Sequence, residues 1–331
     1  FFGDESADAY TRAELLSVAM LSNIRDTALQ VSLAEFLMAY GDYEDANAIY
    51  NIILGDTQGK QSTLQDGLLA DIALCAWATG DSARALDIIL TRQIHSNKAY
   101  RENTRIQSPR ITPLELARIH APLLPKLATV RAAIYADQSD HSITRAAVDS
   151  ATGSMFTVGS LLESRGTEGM KNAINLYLQA AWIAIWFGED TELVESLLDS
   201  IEEGATIDPV EKTRLEGWIL LKKGEPDAAI TTLTPLQDDS AAQAGIGLAY
   251  LKQGNQREAA KLFLQVAKKS AGTILGVWSK MQLRRLVGAD FDLRPEIKEL
   301  QQLMVGVLET LNDYVQDPRA VVGVYIKPSL Q

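Results

Sequence analysis

Glu189, Asp190, Glu192, Glu195, Asp199, Glu202 and Glu203 crowd a single predicted helix. Paired acids can hydrolyse glycosides, one protonating the leaving oxygen while the other activates water or attacks the sugar carbon. Acids on the outer face of a helix are far more often simply solvated, and Asp190 and Glu192 also suit a helix start through the macrodipole. A second candidate, Gly55 to Ser62, looks like a phosphate-binding loop. It has three residues between its glycines where four are needed, and Gln61 stands where Ser or Thr would hold magnesium. His95, His120 and His141 lie 25 and 21 residues apart, and none has a Cys, Asp or Glu at metal-ligand spacing. His120, beside Leu116, Ile119 and Leu123, reads as a packing histidine. Cys75 is the only cysteine, so no intrachain disulfide forms, and its neighbours Ala73, Leu74, Ala76 and Trp77 point to a buried structural thiol. The chain is therefore read as non-catalytic, with no cofactor and no metal site expected.

Chemistry suited to holding a partner is better represented. The net charge is −12, yet Arg84 to Arg131 holds nine Lys or Arg against three acids, a local reversal to +6. Within it, Lys98, Tyr100, Arg101, Arg105 and Arg110 lie on a stretch, residues 93–111, that has few apolar residues and no helical stripe. This basic loop is expected to contact an acidic protein surface, on a partner or on the chain's own block from Glu189 to Asp227, where twelve acids face four bases. The second candidate is the aromatic helix carrying Tyr177, Trp182, Trp186 and Phe187. Trp182 and Trp186 are four apart and share a face; such a stripe is most often core, and an indole facing a groove would be a hot spot for a bound peptide or helix.

The elements that must position these residues are marked by one recurring device. Gly41-Asp42, Gly80-Asp81, Gly188-Glu189, Gly224-Glu225 and Gly254-Asn255 each pair a helix-ending Gly with an acidic or amide residue able to start the next helix. Gly adopts the left-handed conformation that closes a helix, and an Asp or Asn side chain caps the following one. Five residues after each Gly stands Ala46, Ala85, Leu193, Ala229 or Ala259. Around the first turn, Leu29, Leu33, Phe36, Leu37 and Tyr40 form one helical stripe, and Tyr43, Ala46, Ile49, Tyr50 and Ile53 form the facing one. Asp208-Pro209-Val210-Glu211, Ser240-Ala241-Ala242-Gln243 and Asn255-Gln256-Arg257-Glu258 read as capping boxes. The fold class is all-α: a right-handed superhelix of antiparallel helical hairpins with an irregular middle segment.

Ser240 to Lys268 resembles the tetratricopeptide repeat family, with Gly247, Tyr250, Gly254, Ala259 and Phe263 at that motif's small, aromatic, turn, small and aromatic positions. Gly217, Leu220, Gly224, Ala229 and Leu233 occupy the same places, as do Ala34, Leu37, Gly41, Ala46 and Tyr50. The interval between turn glycines is 39, 36 or 30 residues rather than the family's 34, so the likeness is to a divergent array. The resemblance implies a scaffold that works by holding a partner.

Residues 1–91 are read as N-terminal hairpins and 92–170 as an irregular segment. In that segment Leu127–Ala136 and Ile143–Ala151 form short helices and Gly153–Ser160 a small-residue turn. Residues 171–316 are read as C-terminal hairpins and 317–331 as an extended tail. The acidic balance disfavours nucleic acid, and the longest apolar-rich stretch, Ile174 to Phe187, is too short to insert in a membrane. Ala-rich, Cys-poor, acidic composition points to a bacterial protein, and the Phe1 start to a processed or trimmed product with a slight lean to export. The leading expectation is a non-catalytic protein-binding or assembly scaffold, with self-assembly open to it. A structural subunit of a bacterial envelope or motor-like assembly is the alternative, and an α/α-barrel carboxylate enzyme a third reading.

Overall fold

In the computed structural model, four of the five Gly-acid or Gly-amide turns close with the same pair of hydrogen bonds. Asp42, Asp81, Glu225 and Asn255 each donate a backbone N–H to the carbonyl five residues earlier, at 2.8–3.0 Å. Gly41, Gly80, Gly224 and Gly254 sit between, all at φ of 80° to 97°. This is the Schellman closure, which satisfies carbonyls that the helix end would otherwise orphan. Asp42, Asp81 and Asn255 then cap the following helix through Asp45, Arg84 and Glu258 N–H.

The structure describes residues 13–56, 62–91, 125–138 and 141–288, together with a few positions between 306 and 313, but not 14 or 164. Residues 15–22 form α1 and residues 82–91 form α5. Between them lie α2 (Thr27–Tyr40), α3 (Tyr43–Asp56) and α4 (Ser62–Ala78). Then follow α6 (Pro125–Asp137), α7 (His141–Glu163) and α8 (Gly166–Ile183), the last continued by a π turn at Ala184–Gly188. The series ends with α9 (Thr191–Gly204), α10 (Pro209–Lys222), α11 (Pro226–Leu233), α12 (Ser240–Lys252), α13 (Gln256–Lys269) and α14 (Ile274–Val287). Among the described residues there is no strand, and no helix is long and apolar enough to cross a membrane. The basic stretch 93–111 and both termini lie outside the described residues.

Small residues stand where neighbouring helices come closest. A Cβ added to Gly217 would lie 2.4 Å from Leu233, and one on Gly247 would lie 3.0 Å from Phe263, so α10–α11 and α12–α13 pack side chain onto backbone. Ala46, Ala85, Ala229 and Ala259 are fully buried.

The fifth turn departs from expectation. Gly188 is not left-handed; Glu189 is, at φ 56°. The π turn inserts one residue into the end of the helix, so Glu189 and Asp190 both return their N–H to Ala184 and the cap moves on to Asp190, which accepts from Leu193 at 3.0 Å. Gly188 serves close packing instead: a Cβ there would lie 3.0 Å from Val148. Two further readings are corrected. Gly153–Ser160 is not a turn but the interior of α7, which also absorbs the short helix read at Ile143–Ala151. Asp239, not Ser240, caps α12, accepting from Ala241 and Ala242. The boundary drawn at 170/171 falls within α8.

From α2 to α4 and from α6 to α14 successive helices pack on each other, and α14 returns to the first part of the chain, where it lies against α4 and α6. The Tyr43 hydroxyl donates to Ala271 O at 2.8 Å, and Lys280 Nζ stands 4.7 Å from the Tyr43 ring centroid. One continuous apolar core runs through the set.

Candidate functional site

The expected site residues separate into three groups. Lys98, Tyr100, Arg101, Arg105 and Arg110 lie outside the described residues. Trp182 and Trp186 are half-buried and engaged by neighbouring helices. Trp182 donates its indole N–H to Glu211 and meets the Trp218 edge at 5.9 Å. Trp186 stacks on Phe187 at 4.5 Å and makes edge contacts with Trp218 and Trp278. The acids of the Glu189–Glu203 stretch meet bases of α10: Lys222 reaches Glu189 at 3.0 Å, Lys223 reaches Glu195 at 2.5 Å and Lys212 reaches Glu202 at 2.6 Å. Burial lowers the affinity of the Lys222 ammonium for its proton, which the Glu189 carboxylate opposes. Among the described residues no group of three or more His, Cys, Asp or Glu could hold a metal ion. Cys75 is fully buried, and burial pushes its thiol well above the usual range, so it stays protonated and unreactive.

The feature best shaped to receive something lies earlier on the aromatic helix. α8 is flanked by α7 and α9, which run parallel to each other and antiparallel to it. α9 packs on α8 far less extensively than α7 does. The gap over the N-terminal half of α8 is an open cleft of about 670 Å³. Its floor is Met170, Ile174 and Tyr177, spaced i, i+4, i+7. One wall is Leu197, Ile201 and Gly204 at the same spacing, and the other is Phe156, Ser160 and Glu163.

The sequence builds this cleft through small residues. A Cβ on Gly159 would lie 2.5 Å from the Tyr177 ring, so the missing side chain lets that ring lie flat across α7. There Tyr177 meets Phe156 at 5.8 Å between ring centroids, and its hydroxyl donates to Glu163 Oε1 at 2.6 Å. Burial and the Glu163 carboxylate push that hydroxyl up to about 12, so it remains a donor at neutral pH. Gly204 leaves the end of the other wall open, with nothing within 4 Å of an added Cβ.

The hydroxyls around the cleft are committed to their own helices. Thr157 donates to Gly153 O at 2.8 Å, Ser160 to Thr157 O at 3.1 Å and Ser200 to Ser196 O at 2.8 Å. The surface is thus mainly apolar, with acceptors and, among the described residues, no free hydroxyl donor. Two other clefts carry more charged groups. One, of about 340 Å³, lies beside Arg145 and the start of α9; the other, of about 390 Å³, lies between α9 and α10 where acids and lysines pair with each other.

Of the expected aromatic helix, Tyr177 lies in the cleft, whereas Trp182 and Trp186 lie one to two turns further on, against Glu211, Trp218 and Trp278. The signal that would have found the cleft is the coincidence of two i, i+4, i+7 stripes, Met170-Ile174-Tyr177 and Leu197-Ile201-Gly204, each ending on a half-exposed or small residue. No protein-family model matches the chain, and no curated protein matches it in sequence.

Proposed function

We propose that this chain is a non-catalytic protein-binding scaffold. Its tetratricopeptide-like hairpins, stacked as a right-handed superhelix, hold a partner segment in the cleft over α8, and the basic stretch 93–111 supplies an additional contact. The observation that supports this most is the cleft itself: an apolar, open-sided surface of about 670 Å³ built by three helices. Met170 remains 43% exposed there, a cost in water contact that a bound apolar side chain would remove. The ion pairs of Glu189, Glu195 and Glu202 with Lys222, Lys223 and Lys212 support the non-catalytic reading, because those carboxylates meet bases of the next helix.

The test is selection from a displayed random-peptide library on the full chain, with counter-selection on Ser200→Trp. Ser200 is exposed on the cleft wall, so the indole fills the cleft without altering charge, and circular dichroism verifies the fold. Recovery of peptides that bind wild type and not Ser200→Trp supports the scaffold reading. Failure to recover any cleft-dependent peptide overturns it.

A further inference from the structure

We infer that the occupant of the cleft is a cationic amphipathic helix, seated by its apolar face, with its Lys or Arg end against Glu163 and Glu203. This rests on the docking reading above. Three observations carry it: the shape of the cleft, its hydrogen-bonding character and the charge at one end.

The walls are two helical turns long, Met170 to Tyr177 on α8 and Leu197 to Gly204 on α9, which is roughly 10 Å at the rise of an α-helix. The backbone lining it is helical except at Ala205, whose N–H is returned to Ile201 O at 2.8 Å, so there is no strand edge to which an extended peptide could add. A second helix needs no such edge. It would lay apolar side chains at i, i+3 or i+4, and i+7 onto stripes that have that same repeat.

The hydrogen-bonding character excludes an anionic occupant. Among the described residues no Lys, Arg or His lines the cleft, and the hydroxyls of Thr157, Ser160 and Ser200 spend their hydrogens on their own helices. A carboxylate or phosphate would find nothing to receive it. A cation finds acceptors concentrated at one end. α7 stops at Glu163 and α9 at Gly204, both beside the start of α8, and neither has a basic residue in its last turn. Two helix C-termini therefore direct partial negative charge to the same place. Glu163, on the cleft wall, adds a full charge there, and Glu203 precedes the lining Gly204; neither has an ion-pair partner among the described residues, whereas Glu202 is held by Lys212. Of the helix N-termini near this end, that of α8 carries Glu168 in its first turn, and that of α10 is capped by Asp208 and carries Glu211. The nearby cations are Arg165, which precedes α8, and Lys171, which lies 4.0 Å from Glu168.

The inference is tested by fluorescence anisotropy on the full chain with two labelled peptides of about 18 residues. Both place Leu at i, i+3, i+4 and i+7; one ends in a run of Lys and the other has Glu in the same places. The cationic peptide is expected to bind wild type at least about tenfold more tightly than its twin. The preference should shrink as salt is raised through the physiological range. It should largely disappear in Glu163→Gln/Glu203→Gln, which keeps the acceptor for Tyr177. Ser200→Trp should abolish binding of the cationic peptide without changing net charge.

Equal binding of the two peptides, or a preference that survives the double Gln variant, overturns the inference. In either case loss on Ser200→Trp would leave the docking reading standing. Binding that survives Ser200→Trp places the peptide elsewhere on an acidic protein and also overturns it, as does no binding of either peptide. The docking reading itself then stands or falls on the library selection, where recovery of cleft-dependent apolar or acidic peptides would preserve it.

Discussion

The guanidinium of Arg285 on α14 lies 2.8 Å from Asp137 Oδ1 at the end of α6, and the indole N–H of Trp77 on α4 donates to the other oxygen of the same carboxylate at 3.4 Å. Arg285 also donates to the Asp137 backbone carbonyl. One carboxylate thus joins α14 to two elements from the first half of the chain. Its side chain is 13% exposed. Burial raises the Asp137 carboxyl above the ordinary carboxylate range, and Arg285 opposes that rise.

Arg285→Ala is therefore expected to lower stability by about 1–3 kcal/mol, since it leaves a buried acceptor without its main partner. The sign of its pH dependence follows. With Arg285 gone, the folded-state carboxyl rises further above its unfolded value, so the folded state holds its proton more readily. The loss should be largest at neutral pH and shrink as pH falls and Asp137 becomes protonated. Urea unfolding of wild type and variant at two pH values checks both points.

Gly159→Ala would place a methyl carbon 2.5 Å from the Tyr177 ring. The ring must then leave its place on α7, separating it from Phe156 and Glu163. A stability loss of about 1–3 kcal/mol is expected, as for other overpacked contacts, together with loss of peptide binding in the cleft. Thermal unfolding and anisotropy on the same sample would reveal both.

Gly224→Ala isolates the conformational part of a turn. Nothing lies within 4 Å of an added Cβ there, and φ is 87°. The expected cost is about 1–2 kcal/mol, that of holding a non-Gly residue left-handed. Gly188→Ala should act differently, through its approach to Val148 rather than through φ. Structures of the two variants would show an unmoved Val148 in the first and a displaced one in the second.

Asp45, in the first turn of α3, has its carboxyl pushed up to about 6 by burial and by the neighbouring Asp42 carboxylate, with Glu44 adding to it. A carboxyl raised in the folded state makes stability fall as pH rises between the unfolded value and the folded one. Wild type should therefore lose stability from about pH 4 to about pH 6 through this group. Asp45→Asn should flatten that part of the profile, as measured by urea midpoints across the range.

The hairpin turns were legible because their chemistry is local. A Gly able to take positive φ and an adjacent capping side chain lie within a few residues of each other, and Gly41, Gly80, Gly224 and Gly254 all behave this way. Gly188 has the same local pattern and a different role, because the π turn that shifts its register lies among contacts from distant parts of the chain: Val148 against Gly188, and Lys222 donating to Trp186 O at 3.2 Å. The small residues at 153–160 read as a turn because Gly and Ser break isolated helices; here Gly159 admits a tyrosine ring from the next helix instead. The cleft was half legible: its stripes are in the sequence, but the divergence of α9 from α8 that opens it is a tertiary property. The return of α14 to α4 and α6 has no local signature at all.

That return sets a rule for how such a chain can change in evolution. An open stack of hairpins tolerates duplication or deletion of a unit, since each contacts only its neighbours. Here the bonds from Tyr43 to Ala271 and from Asp137 to Arg285 fix how many helices fit between the joined elements. A hairpin inserted between α11 and α12 would have to break both junctions at once. Gain or loss of a hairpin here is thus expected to cost two distant junctions at once, whereas substitutions and changes of loop length leave them in place.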